Sequence, residues 1–255
     1  MLTREQLDFY HENGYLLVEG LLTGEEAASL RRECHALADR LSAQTNIDAT
    51  WGAARAAVAE AKETKIYHCH NVQFYSAAFT RLLVHEGLME AASQIIGSPN
   101  VQLHHTKMFI KPPEKGSPFP MHQDHPYFPH ARHSMIAAIL FFDDAPEEKG
   151  CVRVVPGSHK LGPLEHDPQG GWHLPFSQYP IESAVACPAK AGDALFFSYL
   201  TIHGSGVNIS PEARTTLLIQ MRDPEDPPTV KTHESRGQGM MLRGFDPLSL
   251  PRGVE

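Results

Sequence analysis

The spacing of apolar positions changes period near Val101. Before it, the pattern is helical. Thr3-x-x-Gln6 and Thr23-x-x-Glu26 each fit a capping box, in which side chain and backbone satisfy one another's unpaired donors, so a helix is expected after each threonine. The first should stop at Asn13-Gly14, since glycine takes the left-handed conformation that ends helices, and Tyr15 to Val18 then reads as a short strand. Ala27, Leu30, Cys34, Leu37 and Leu41 recur at helical spacing and give a helix from Glu25 to Leu41 one buried face. Leu82, Leu83, Leu88, Met89, Ala92 and Ile96 predict a single further helix over Ala77 to Ile96, closed by Gly97. Between these, Ile66 to His70 looks extended. Residues 43 to 64, Ala-rich from Trp51 to Ala61, fit either a helix or a cover over the rest of the molecule.

After Val101 the runs are short, apolar and separated by Pro and Gly clusters: Val101–Lys111, Met135–Phe142, Val152–Val155, Val185–Cys187, Ala194–Tyr199 and Thr215–Met221. Helices first and strands afterwards make an α+β chain, with enough strands for a jelly-roll barrel. Lys111 to Gly116 and Gly157 to Tyr179 read as long loops, which in compact domains tend to be binding loops or lids. No repeat or linker divides the chain. It is read as one domain over 1–255: a mainly helical part (1–100), a jelly-roll core (101–222) and a tail or cover (223–255).

Composition narrows the partners. The chain is long enough to bury a substantial core. Its 42% apolar and 20% charged residues are ordinary for a globular protein. A formal charge of -8 with no basic tract argues against a general nucleic-acid binder. No apolar run has the length to span a bilayer, and Met1 to Gln6 carries no targeting signature. Cys34, Cys69, Cys151 and Cys187 are scattered without a C-x-x-C pair, as reduced thiols of an intracellular protein would be. A cytoplasmic protein with a small-molecule partner, and neither membrane nor nucleic acid, is the expectation; the oligomeric state is not legible.

The candidate chemistry starts at Pro120-Met121-His122-Gln123-Asp124-His125. On an extended strand, residues two apart share a face, so His122 and Asp124 should project together. Two histidines and a carboxylate on one face of a metal is the triad of non-haem Fe(II) oxygenases. Among sixteen histidines H-x-D alone says little. His203, in Ile202-His203-Gly204-Ser205-Gly206, is a candidate third ligand, and Arg214 follows eleven residues later. A planar guanidinium suits a carboxylate through two parallel hydrogen bonds. Zinc would accept the same ligand types, so the residues alone leave the metal open. A Ser-His-Asp hydrolase has no support, because no G-x-S-x-G elbow is present.

His122-Gln123-Asp124, then Lys149-Gly150-Cys151, Pro156-Gly157-Ser158-His159-Lys160, Ile202-His203-Gly204-Ser205-Gly206 and the downstream Arg214 resemble the phytanoyl-CoA dioxygenase (PhyH) family in order and spacing, over roughly residues 3 to 222. The resemblance implies a double-stranded β-helix with N-terminal helices packed on it, and a non-haem dioxygenase using Fe(II), 2-oxoglutarate and O2. The family's reaction releases succinate and CO2 as it oxidises, usually hydroxylates, a substrate C–H bond. The resemblance implies His122, Asp124 and His203 as the metal ligands, with no further catalytic group. It implies Arg214, with Ser205, on the distal carboxylate of 2-oxoglutarate, and Lys107 at a position that contacts cosubstrate or substrate. His105 and Phe109 alternate with Lys107 along one strand face, and Tyr127 and Phe128 follow the H-x-D turn; all four are candidate substrate contacts. Phytanoyl-CoA hydroxylases have a Trp where Ile139 aligns, which leaves a stacking contact open. Asp124 disfavours halogenation, since halogenating relatives lack that carboxylate. The alternatives are an acyl-CoA hydroxylase, whose coenzyme A phosphates would need cations such as Lys107, Lys111, Lys115 and Arg132 at the pocket mouth, and a non-catalytic jelly-roll binding protein. The expected substrate is a free small metabolite with an apolar body and one or two acidic groups.

Overall fold

Two antiparallel sheets, drawing strands from both halves of the chain, carry the protein. The structure is a computed structural model and describes residues 1–57, 64–232 and 234–249. In chain order the elements are α1 (Arg4–Asn13), β1 (Tyr15–Val18), α2 (Gly24–Ser42), α3 (Gly52–Ala57), β2 (Tyr67–His70), α4 (Ala77–Leu83) and α5 (Glu86–Ile96). They continue with β3 (Val101–Lys111), β4 (Phe119–His122), β5 (Ile136–Phe141), β6 (Val152–Val154), β7 (Val185–Cys187), β8 (Ala194–Ser198), β9 (His203–Ser205), β10 (Arg214–Arg222) and β11 (Met241–Arg243). The larger sheet runs β1-β8-β5-β10-β3-β11, with β2 also on β3; the smaller runs β4-β9-β6-β7. This is the double-stranded β-helix that the strand pattern and the resemblance imply.

Both predicted capping boxes form, at Thr3/Gln6 and Thr23/Glu26, and Gly14 closes α1 at φ 77°. The helix expected over Ala77 to Ile96 is in fact two. His85 leaves the helical conformation and its Nδ1 caps α5 by accepting from Leu88 N, so a local side-chain cap interrupts an otherwise continuous apolar stripe. The 223–255 stretch is not only a cover, since β11 extends the large sheet at β3. Trp51 precedes the short helix α3; the rest of that Ala-rich stretch, at 58–63, lies outside the described residues.

Strand alternation sorts the interior into two compartments. Phe196 on β8, Leu217 and Ile219 on β10, and Met108 and Ile110 on β3 face the helices and pack with Leu30, Leu37, Phe79 and Leu88. Leu195 and Phe197, the intervening residues of β8, turn the other way and pack between the sheets with Val152 and Val154. Burial on both faces is why β8 reads as a continuous apolar run. On β10 and β3 the inter-sheet face carries Thr216, Leu218 and Gln220, and His105, Lys107 and Phe109. These residues line a cavity of about 340 Å³.

Candidate active site

His122 and His203 face one another across the β4–β9 ladder as directly paired residues. Their ring centroids are 4.3 Å apart. Each ring is fixed from behind: His122 Nδ1 lies 2.7 Å from Pro120 O, and His203 Nδ1 lies 3.0 Å from Thr201 O. A proton on each Nδ1 satisfies those carbonyls and leaves each Nε2 with a free lone pair. Burial pushes His122 down to about 3 and His203 to about 4, so both imidazoles are neutral, as metal ligation requires.

Asp124 arrives differently from the expectation. β4 ends at His122, and Asp124 sits in a helical-region turn (φ -75°, ψ -21°), so turning rather than strand alternation points it at the imidazoles. The turn is held by Tyr199 O, which accepts from both Asp124 N and His125 N. Asp124 Oδ2 accepts from Gln220 Nε2 at 2.7 Å. Oδ1 faces His122 Nε2 at 3.7 Å and His203 Nε2 at 3.8 Å. One candidate ligand atom from each residue lies within 4.8 Å of the others. Burial raises the Asp124 carboxyl, and the histidine, Gln220 and Lys107 neighbours oppose that rise. Two lone pairs and a carboxylate oxygen converging in a buried pocket fit a divalent cation, and Fe(II) among those N/O would accept.

The residues between and after the ligands are structural braces. Gln123 Nε2 donates to Gly162 O and Leu200 O, and its Oε1 accepts from Leu164 N, tying the ligand turn to the 157–179 loop. Ser158 of the Pro-Gly-Ser-His segment accepts from Ile202 N at 2.8 Å, one residue before His203. Gly150 has φ 65°, and a Cβ there would lie 2.2 Å from Gly206 O. Its carbonyl accepts from the Arg214 guanidinium.

Arg214 is 3% exposed at the cavity floor, pushed down to about 10 by burial, with its Nε unpartnered. Opposite it on the β3–β10 ladder is Lys111. Sequence put Lys111 where the strand meets the Pro-rich loop, as a candidate cation of the pocket mouth; it is instead wholly buried, donating to Ser205 Oγ at 2.7 Å and to Gly206 O. The cause is strand alternation: β3 ends at Lys111 as expected, and the two-residue period puts that side chain on the same face as Lys107 and Phe109. Lys107, four residues up the strand from Lys111, also lines the cavity, its ammonium 4.9 Å from the Phe109 ring. Burial lowers it to about 8.

His105, Phe109, Tyr127, Phe128 and Ser205 all line the cavity, and so does Ile139 at the family's Trp position. Other lining residues were not among the sequence candidates, and four of them shape the pocket beside the ligand positions. His104 faces inward because the β3–β10 register slips between Gln220↔His105 and Met221↔Leu103, leaving His104 as the extra residue of a bulge that brings consecutive side chains to the cavity. Trp51 packs on His122 at 4.8 Å and on Phe119 at 5.4 Å. His70, on β2, and Gln220 line it as well. Only Gln220 carried a signal, as a lone amide on the apolar period of β10.

A jelly roll presenting two imidazoles and a carboxylate toward a cavity with a buried arginine defines a non-haem, metal-dependent oxygenase. Comparison with known proteins agrees. The phytanoyl-CoA dioxygenase (PhyH) family model matches residues 10–216. The peroxisomal phytanoyl-CoA dioxygenase of Bos taurus is 31% identical over 239 residues, covering 88% of this chain and 69% of that protein. An ectoine dioxygenase of Bordetella bronchiseptica is 28% identical, covering 86% and 74% respectively. In structure, the epimerase SnoN in complex with Fe3+, alpha ketoglutarate and nogalamycin RO superposes with a TM-score of 0.72 at 23% identity, covering 94% of this chain and 98% of that one. The chain belongs to the phytanoyl-CoA dioxygenase family, and is a dioxygenase using Fe(II), 2-oxoglutarate and O2. No described helix is long and apolar enough to cross a membrane.

Proposed function

We propose that His122, Asp124 and His203 hold the Fe(II), that Arg214 and Ser205 take the distal carboxylate of 2-oxoglutarate, and that the enzyme hydroxylates an unactivated C–H bond of a free small metabolite. One observation carries the reading. The free Nε2 and Oδ1 atoms and a buried guanidinium open onto the same cavity. Bound there, iron and cosubstrate supply the oxidising chemistry. The chain's own part is to orient and enclose: Gln220 and the two backbone carbonyls fix the ligands, and Trp51, Phe119, Tyr127 and Phe128 keep water from the reacting carbon.

The phytanoyl-CoA dioxygenases among the relatives raise acyl-CoA as the rival substrate. The placement of the cations speaks for a free substrate. Of the four candidates for binding coenzyme A phosphates, only Lys115 is left exposed on the Pro-rich loop; Lys111 is wholly buried and Lys107 is inside the cavity. Arg132 reaches back to Glu225 O. Lys107 among aromatic walls suits an acidic group on a compact apolar body. Succinate formation with phytanoyl-CoA and other acyl-CoAs, set against free acids and polycyclic metabolites, decides between them. Substrate-coupled turnover confined to the free compounds is expected; efficient turnover of an acyl-CoA overturns the reading. A cytoplasmic setting is part of the same proposal, supported by four cysteines that are all free and buried.

A further inference from the structure

The outer edge of the ligand strand is closed by a loop. Among the described strands β4 pairs only with β9. On its other side Leu174 N donates to Met121 O, and Gln123 N donates to His166 Nε2 at 2.8 Å. The acceptor that a neighbouring strand would supply as a carbonyl is here an imidazole, brought by the 157–179 loop. His166 Nδ1 lies 2.9 Å from Leu164 O, so the ring proton sits on Nδ1 and Nε2 is left to accept. His166 is 6% exposed and Gln123 wholly buried. The Gln123 N–H therefore depends on that imidazole, and a buried N–H left unpaired bears its full desolvation cost.

Position makes this bond more than a loop contact. Gln123 lies between His122 and Asp124, and its N–H belongs to the peptide that joins it to His122. Its side-chain Oε1 accepts from Leu164 N at 2.9 Å, so the 162–166 stretch holds both the main chain and the side chain of this one residue. Asp124 reaches the imidazoles through a turn, so its aim depends on how the backbone from 122 to 124 is set. We propose that His166 is a positioning residue of the metal site: by accepting from Gln123 N it fixes the backbone between His122 and Asp124, and it couples the order of the 157–179 loop to metal occupancy. The inference rests on the reading of His122 and Asp124 as metal ligands. Such coupling is reciprocal: the factor by which the bond raises metal affinity is the factor by which bound metal strengthens the bond. The loop thereby senses metal before cosubstrate or substrate arrives.

The test measures Mn(II) dissociation constants of the whole chain without cosubstrate, beside hydrogen exchange over 162–166 read by mass spectrometry. His166→Asn keeps an amide near the place of Nδ1 but is too short to reach Gln123 N. It should weaken Mn(II) by about tenfold to a hundredfold, the usual effect of losing a group that orients a ligand. His166→Gln, whose carbonyl reaches the place of Nε2, should restore most of that affinity. Asp167→Ala removes the acceptor of Gln169 N, loosening the same loop away from the ligand turn, and should leave Mn(II) binding unchanged. In the native chain Mn(II) alone should slow exchange over 162–166, and in His166→Asn it should not. Equal affinities in His166→Asn and His166→Gln overturn the proposal, and so does an equal loss in Asp167→Ala. Should His166→Asn fail to fold, the native chain decides: exchange over 162–166 that Mn(II) leaves unchanged overturns it, and exchange that slows sustains it. His122→Ala and Asp124→Ala in the same titration separate the two readings. If both bind Mn(II) as the native chain does, the ligand assignment itself has failed; if both lose it while the two His166 variants bind alike, only the role of His166 is wrong.

Discussion

At Asp124 the two carboxylate oxygens have different work. Oδ1 is turned to the imidazoles and Oδ2 is held by Gln220, so the amide fixes which oxygen a metal meets. Gln220→Leu removes that hold in a fully buried position, and metal affinity should fall about tenfold to a hundredfold, the usual cost of losing a group that orients a ligand. Equilibrium titration with Mn(II) reads this, and an unchanged affinity would show that the turn alone positions Asp124. Lys107 makes a pH prediction. Burial places it at about 8, so it is charged below that pH and neutral above, and an acidic substrate should lose its partner as pH rises. kcat/KM, which reports the free enzyme's groups, should decline above about pH 8, and Lys107→Met should flatten that limb. A decline that persists in the variant assigns it elsewhere. The candidate ligands could be picked out of the sequence because H-x-D, the distant His203 and Arg214 come in a spaced set. The burial of Lys111 could not be, because the strand's end beside two prolines does not show that Ser205 and Gly206 cover its ammonium end.

Elements explain what the remaining motifs are for. The Lys149-Gly150-Cys151 and Pro156-Gly157-Ser158-His159 segments hold no reacting group; they brace Arg214 and His203 through a carbonyl and a hydroxyl. At Gly150 a side chain meets both a left-handed φ of 65° and the Gly206 carbonyl 2.2 Å away. Gly150→Ala should therefore destabilise the fold by about 1–3 kcal/mol and weaken 2-oxoglutarate binding in the protein that remains folded. Denaturant unfolding and a cosubstrate titration measure the two effects; a variant of native stability would mean the two backbones can part at no cost. Most elements follow from capping boxes, glycine stops and the change of period at Val101. Three departures have local causes: His85 caps a second helix where the apolar stripe ran on, a bulge turns His104 inward against strict alternation, and β9 is a three-residue strand containing Gly204, too short to show any period.

Over the whole molecule, two stretches that sequence leaves irregular meet above the ligands. Ala53 N donates to Gly170 O, Gly171 abuts the Trp51 ring, and Trp51 packs on His122, so the Trp51 segment and the 157–179 loop form one cover. A cover is what an oxidising site needs to exclude water. Amide exchange in both segments should slow together when cosubstrate and substrate bind, and identical exchange with and without ligands would refute a closing role. Everything above depends on metal and 2-oxoglutarate meeting at the His122, Asp124, His203 and Arg214 constellation. Its most direct test is anaerobic titration of the protein with Fe(II) and then 2-oxoglutarate, followed by visible absorption. The native chain should develop a weak charge-transfer band. Asp124→Ala and His203→Ala should give none, and Arg214→Met should require far more 2-oxoglutarate to reach the same intensity. A native-strength band in folded Asp124→Ala and His203→Ala, or an unchanged 2-oxoglutarate midpoint in Arg214→Met, would contradict the account.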